Sequence, residues 1–169
     1  WKSKNGYKRI AKQFFDINQT QKTIQINDKT NAAVMGSLNL HISENDVDYP
    51  AVEVANDLLG GGAFLSSRIP QRLREAEGMS YGAGSYVGCD NIDPVGNWGV
   101  YAFFNPMYKD KLNQALNEEI QKAIDQGFTQ KEFEANLNSW LQQRQTNLGA
   151  NEFLAYQLRT YLDQNKTFA

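Results

Sequence analysis

The stretch that decides the fold is SYGAGSYVGCDNIDPVGNWGVYAFF, residues 80–104. Small and apolar side chains alternate along its first ten and its last seven residues, with the period of two that is typical of half-buried β-strands. Asp93-Pro94 and a following glycine favour a turn between the two halves. The stretch therefore predicts an antiparallel hairpin, and its alternation assigns Tyr81 and Ala83 to one face.

Two more strands are predicted before the hairpin. Apolar side chains recur at every second position over residues 32–42, which indicates a long, half-buried strand. A turn cluster, Asn27-Asp28-Lys29-Thr30-Asn31, precedes it. The residues before that cluster, Thr23 to Ile26, are interpreted as a short strand.

Two helices are predicted between the strands. We expect Asp46 or Asp48 to cap the first, which has Pro50 in its first turn, where the missing N–H costs nothing. Gly60-Gly61-Gly62 ends it, and we expect glycine to supply a positive-φ cap there. The second begins near Ser66 or Ser67 and runs to about Ala76.

Three helices follow the hairpin. Gly127 stops the first, Thr129 and Glu132 form a capping box that begins the second, and Gly149 separates the second from the third. The resulting element order, β-β-α-α-β-β-α-α-α, does not alternate as parallel βαβ folds do. It indicates an α+β fold, an antiparallel sheet with helices packed on one face.

Length and composition set the domain count and exclude several functions. The 169 residues suffice for one hydrophobic core, which we assign to a single domain at 23–169 after a lead-in segment at 1–22. The formal net charge of −2 and the lack of a basic stripe argue against nucleic-acid binding, and no apolar run is long enough to span a membrane. The chain starts at Trp1 without an initiator Met or a signal-peptide pattern, so we expect a piece of a larger protein.

Two scarce residue types narrow the chemistry. The single cysteine, Cys89, excludes an intrachain disulfide, and the single histidine, His41, excludes a multi-histidine metal site. A catalytic His41 or Cys89 is the less favoured interpretation of each, because neither sits in a recognisable nucleophile pattern. The triple glycine follows a helix and lacks the Gly-Lys-Ser/Thr of a phosphate loop, so a helix cap is favoured there.

Arg74 and Tyr81 are the candidate functional residues. Arg74 lies near the end of the second helix and Tyr81 at the start of the next strand, so both side chains can point toward one place. A guanidinium fork and a phenol both suit carbonyl or carboxylate oxygens. Spacing alone favours the alternative, in which Arg74 pairs with Glu75 or Glu77 on the surface and Tyr81 fills core space.

A resemblance in the surrounding motifs favours the functional interpretation of Arg74 and Tyr81. The motifs that carry it are, in order, Leu59-Gly60-Gly61-Gly62, Ser67-Arg68-Ile69, Leu73-Arg74-Glu75, Gly78-Met79 and Tyr81, flanked by Asp28-Lys29-Thr30-Asn31-Ala32 and Thr129-Gln130-Lys131-Glu132-Phe133-Glu134. In this order and spacing the chain resembles the carboxyl-terminal, non-zinc half of the pitrilysin/insulinase family of zinc metallopeptidases, which includes mitochondrial processing peptidase. The similarity covers roughly residues 25–160. One extra residue in Ala63-Phe64-Leu65-Ser66 departs from the family pattern.

The resemblance implies that the protein has two halves with different roles. Members consist of two similar α+β halves that close like a clam shell. The amino-terminal half carries His-x-x-Glu-His, the zinc and the general base, and this chain, with one histidine, lacks that motif. Carried over by motif position, Arg74 would hold a carbonyl of the peptide substrate and Tyr81 would donate to the oxyanion at the scissile carbonyl.

The resemblance therefore implies that this chain binds no metal and is inactive alone. Its expected partners are a peptide and an amino-terminal zinc-binding half-domain, in the same polypeptide or in a partner chain. The rival hypothesis is a catalytically inactive scaffold or peptide-binding subunit of the same fold. Similarity to bacterial members makes the periplasm the leading hypothesis for location.

Overall fold

Three strands form one antiparallel sheet. The computed structural model of the chain describes residues 6–62 and 67–167. The strands are β1 (Ala32–Leu40), β2 (Ser80–Cys89) and β3 (Gly96–Phe104). Their spatial order is β1-β3-β2, with β3 antiparallel to both neighbours. The predicted hairpin, β2–β3, is confirmed.

In the described part of the chain, five helices precede and follow the hairpin in the predicted chain order. They are α1 (Tyr49–Asn56), continued by a π-helix (Asp57–Gly61); α2 (Arg68–Pro70), continued by a π-helix (Gln71–Ala76); a 3-10 turn (Pro106–Tyr108); α3 (Lys109–Gln126); α4 (Gln130–Leu148); and α5 (Asn151–Asp163). Among the described residues, no helix is long and apolar enough to cross a bilayer. The predicted helix start at Ser66 lies outside the described residues.

The helices cover one face of the sheet, as the α+β interpretation requires. Alternate residues of β3, namely Val100, Ala102 and Phe104, are buried against α2 and α3. The shared core comprises Leu59, Ile69, Leu73, Met79, Ala83, Val100, Ala102, Phe104, Leu112, Ala115 and Leu116. The opposite face is open, since Met35 and Phe103 are exposed there.

The predicted capping box begins α4. The Thr129 hydroxyl accepts from the Glu132 backbone N–H at 3.3 Å, and the Glu132 carboxylate accepts from the Thr129 N–H at 2.7 Å. Two backbone donors that the first helical turn leaves unpaired are thereby satisfied. Helix α3 ends as predicted at Gly127, which has φ of 65°.

Two local predictions are wrong. Thr23 to Ile26 form no strand; Ile24 and Ile26 are exposed, and a short alternating stretch without a neighbouring strand has no backbone partners to hold it. Asp48 precedes α1 at the N-cap position but makes no side-chain cap, whereas Asp46 accepts from the Asp48 N–H at 3.2 Å.

The triple glycine ends the first helix for a different reason than the one expected. Gly62 has φ of −74°, so no positive-φ cap is present there. A Cβ on Gly60 would lie 2.6 Å from the backbone nitrogen of Ser85, and one on Gly62 would lie 2.7 Å from the Asp57 carbonyl oxygen. Glycine is therefore required at residue 60 because the helix end packs directly against the backbone of β2, and at residue 62 because the chain lies against the last turn of its own helix.

Residues 6–31 are irregular but attached to the hairpin. The guanidinium of Arg9 donates to the carboxylate of Asp93, whose Oδ2 also accepts from the Lys12 backbone N–H at 2.6 Å. The Lys12 ammonium lies 2.8 Å from Asp90 Oδ2. These contacts, together called the hairpin clasp, hold the amino-terminal segment on the loop between β2 and β3.

Candidate functional site

A tight turn connects Arg74 to Tyr81. Gly78 has φ of 60°, its N–H donates to the Arg74 carbonyl at 3.2 Å, and the Met79 N–H donates to the Leu73 carbonyl at 2.9 Å. Each bond spans one residue more than its counterpart in a Schellman motif, as fits the end of a π-helix, and the left-handed conformation at Gly78 favours glycine. Leu73 and Met79 are both in the core and fix the turn from inside. Arg74 therefore ends one element, and β2 starts a few residues later.

Arg74 reaches solvent. Its side chain is 41% exposed, and its Nε lies 3.4 Å from Glu75 Oε1. The other carboxylate considered as its partner, Glu77, lies 2.9 Å from the Arg72 Nε and 3.1 Å from the Lys111 ammonium. Arg72 and Lys111 hold the pKa of Glu77 below its usual value. The surface pairing of Arg74 with Glu75, which the sequence left open, is present, and it leaves much of the guanidinium accessible.

Tyr81 lies on the open face of the sheet, which corrects the alternation predicted from sequence. Ala83 is buried, but Tyr81 is 56% exposed. The cause is a β-bulge: Ser80 pairs with Phe104 and Gly82 pairs with Phe103, so Tyr81 is an extra residue between them. The bulge reverses the side on which Tyr81 projects, and the alternative in which this tyrosine fills core space is wrong.

Aromatic rings support the phenol of Tyr81. The Phe103 ring lies nearly parallel to it, with a centroid distance of 6.5 Å and an interplanar angle of 17°. Tyr101, two residues earlier on β3, tilts toward Phe103 at 5.9 Å. The three rings form an aromatic row on the face that the helices leave open, with Tyr81 and Phe103 exposed and Tyr101 half-buried. A phenol held on such a surface can donate a hydrogen bond to an approaching molecule.

An arginine that the sequence analysis did not single out joins α2 to α4. Arg68 is 8% exposed, and its guanidinium binds Glu132 through two bonds of 2.6 and 2.9 Å. It also donates to the Gly127 carbonyl at 2.9 Å and lies over the Phe128 ring at 4.6 Å. Arg68 lowers the pKa of Glu132 to about 2. Both residues stood in the quoted motifs, but 64 positions separate them, and no local pattern indicates their pairing.

The other titratable candidates lie elsewhere. His41 is exposed and its ring lies 4.7 Å from the ring of Phe14, under the amino-terminal segment. Cys89 is half-buried at the end of β2, and burial raises the pKa of its thiol, which disfavours the reactive thiolate. Within residues 6–62 and 67–167, no three His, Cys, Asp or Glu side chains are grouped so that they could hold a metal ion.

Solved structures with the same fold include a peptidase M16 inactive domain from Pseudomonas fluorescens. It shares 22% identity and a TM-score of 0.67 with this chain, over 83% of this chain and 32% of that one. A protease from Helicobacter pylori has 19% identity and a TM-score of 0.72, over 82% and 33% of the two chains. At these identities the likeness concerns the fold alone.

Sequence comparisons give the family. An uncharacterised zinc protease of Streptomyces coelicolor is 33% identical over 82 residues, which are 48% of this chain and 17% of that protein. This chain therefore spans only a small part of the curated relative and about a third of the two solved chains. The family described as "Peptidase M16 inactive domain" matches residues 1–139. The resemblance to the non-zinc half of pitrilysin-type zinc proteases is thereby confirmed, and the chain belongs to the peptidase M16 family as one of its inactive domains.

Proposed function

We propose that this domain is the substrate-binding, non-zinc half of a zinc-dependent metalloendopeptidase. The zinc and the general base belong to an amino-terminal half-domain, in the same polypeptide or in a partner chain. The proposal draws support from the match to an inactive domain of the M16 peptidases. It also draws support from the lack of a metal-ligand cluster in the part of the chain that the structure describes.

The observation that carries the proposal is the exposure of Tyr81. A tyrosine that merely stabilised the sheet would be expected in the core beside Ala83, but the bulge presents it on the open face. A neutral phenol donates one proton, which suits the oxyanion that develops on a carbonyl carbon under attack. In this role Tyr81 stabilises charge that exists only in the transition state, so it acts on kcat.

Arg74 has the complementary role. Its side chain is 41% exposed, and its guanidinium presents a planar set of N–H donors. An accessible guanidinium of this kind can hold a backbone carbonyl of the peptide. Because this contact is present before and during the reaction, its loss raises KM and lowers kcat/KM while leaving kcat unchanged.

Residues 1–22 complete the proposed arrangement. They form the connection from the preceding part of the protein, and the hairpin clasp attaches this connection to the β2–β3 loop. The domain proper, residues 23–169, then follows. In this arrangement the clasp fixes where the connection leaves the domain.

The test is kinetic and uses the complete peptidase, with both halves present. Tyr81→Phe removes one hydroxyl and should lower kcat roughly 100-fold, the typical effect of losing one oxyanion donor. Arg74→Ala should lower kcat/KM roughly 10- to 150-fold, the range for a charge-assisted hydrogen bond.

Two matched variants control for nonspecific effects. Tyr156→Phe removes a hydroxyl from an exposed tyrosine on α5, and Arg144→Ala removes an exposed arginine from α4. Both should retain the normal kcat and kcat/KM. If Tyr81→Phe and Arg74→Ala also retain both constants, the domain is a scaffold rather than a contributor to catalysis.

A further inference from the structure

The bulge at Tyr81 has an identifiable cause in the preceding residue. In a regular ladder, Gly82 opposite Phe103 would bring Tyr81 opposite Phe104, on the core side. Instead Ser80 takes the place opposite Phe104, and it is 6% exposed. A small side chain thus occupies the core-facing position, and the large phenol moves to the open face.

The Ser80 hydroxyl satisfies the backbone groups that the bulge displaces. Its oxygen accepts from the Gly82 N–H at 3.1 Å, and its proton is shared between the carbonyls of Gly82 at 2.9 Å and Phe103 at 2.8 Å. An extra residue in a strand leaves ladder groups unpaired, and buried unpaired groups are costly. One hydroxyl therefore joins β2 to β3 at the bulge.

The same contacts determine where the phenol lies. The Phe103 carbonyl is bound by Ser80, and the Phe103 ring stacks against Tyr81. The backbone of the bulge and the aromatic neighbour are thus connected through one residue. Loss of the hydroxyl would release the bulge and change the direction of Tyr81 without touching its ring.

We propose that Ser80 is a positioning residue, which holds the bulge and thereby fixes the Tyr81 phenol on the open face for the reaction. This inference rests on the proposed role of Tyr81. Ser80 itself meets no substrate, because it is buried. Its effect passes entirely through Tyr81, and that dependence can be measured.

The experiment is a double-mutant cycle in the complete peptidase, with Ser80→Ala, Tyr81→Phe and the combination. Ser80→Ala should lower kcat roughly 2- to 10-fold, the equivalent of one net hydrogen bond, and leave KM within twofold. In the Tyr81→Phe background, the same substitution should change kcat less than twofold, because the phenol that it positions is gone.

Ser85→Ala is the matched control. Ser85 lies on the same strand, is 5% exposed, and donates its own hydrogen bond to the Asn56 carbonyl at 3.2 Å, but it lies away from the bulge. It should leave kcat unchanged in both backgrounds. Equal losses for Ser80→Ala and Ser85→Ala, or a Ser80→Ala loss that persists in full without the phenol, would overturn the inference.

The two proposals fail in different ways. If Tyr81→Phe lowers kcat but Ser80→Ala does not, the role of Tyr81 stands and the positioning role of Ser80 is wrong. If Tyr81→Phe has no effect, the proposed function itself is wrong. In that case the exchange rate of the Gly82 amide, which should rise in Ser80→Ala but not in Ser85→Ala, still tests whether the hydroxyl holds the bulge.

Discussion

Replacing Glu132 by glutamine tests whether the ion pair with Arg68 stabilises the domain. Glu132→Gln preserves the size of the side chain and an oxygen that can close the capping box with Thr129. It removes the negative charge and one of the two oxygens that accept from the Arg68 guanidinium, which is 8% exposed. The buried positive charge of Arg68 then loses its ionic partner, a change that is more costly than losing a surface pair.

The magnitude follows from the pKa of Glu132. Arg68 and the Thr129 N–H lower that pKa from 4.5 to about 2, and each pKa unit is worth about 1.4 kcal/mol. The Glu132 side chain is 28% exposed, so solvent screens part of this energy. We expect Glu132→Gln to lower the free energy of unfolding by about 2 kcal/mol at pH 7.

The pH dependence has a definite sign. Because the pKa is lower in the folded state, the carboxylate stabilises the fold fully above about pH 4.5 and loses this contribution as the pH falls toward 2. The gap in unfolding free energy between wild type and Glu132→Gln should therefore be constant from pH 7 to 5 and at least halve by pH 3. Urea unfolding followed by far-UV circular dichroism measures it.

Glu134→Gln is the control for helix and charge effects. Glu134 lies two residues further on α4 and is exposed, with a local hydrogen bond from Gln130 at 2.9 Å. It should change the free energy of unfolding by less than about 0.5 kcal/mol. Equal destabilisation by both substitutions, or a Glu132→Gln effect that does not change with pH, would refute the reasoning.

Two further predictions concern the triple glycine and the hairpin clasp. Gly60→Ala should lower the free energy of unfolding, measured by urea titration, by about 2 kcal/mol, because the new Cβ would lie 2.6 Å from a backbone nitrogen of β2. Gly6→Ala is the control: it has open space around it and should have no effect in the same titration. Asp93→Asn should increase the rate of tryptic cleavage before residue 13 roughly 2- to 5-fold, because it weakens the contact with Arg9. Asp28→Asn, the control, should leave that rate unchanged. An unchanged rate in Asp93→Asn would show that the clasp does not protect the segment.

The sequence predicted those elements whose signals are local. Alternation over a long stretch predicted β1 and the hairpin, and Gly127 marked a helix end, where the backbone has a positive φ. The predicted strand at Thr23 to Ile26 does not form because alternation indicates only a preference, and a strand also needs a neighbouring strand to pair with.

The functional site depended on information that is not local. The bulge at Tyr81 comes from the register of β2 against β3 and from one serine hydroxyl, and neither has a signature within a window of sequence. Motif resemblance nevertheless selected Tyr81 and Arg74. Their individual roles stay predictions until the kinetic variants are measured.

The clasp and Tyr81 lie at opposite ends of the same hairpin. The clasp contacts Asp90 and Asp93 just beyond the end of β2, and Tyr81 stands at its beginning, roughly 25–30 Å away along an extended strand. The segment that the clasp holds and the proposed Tyr81 site are therefore joined by a single continuous strand, β2.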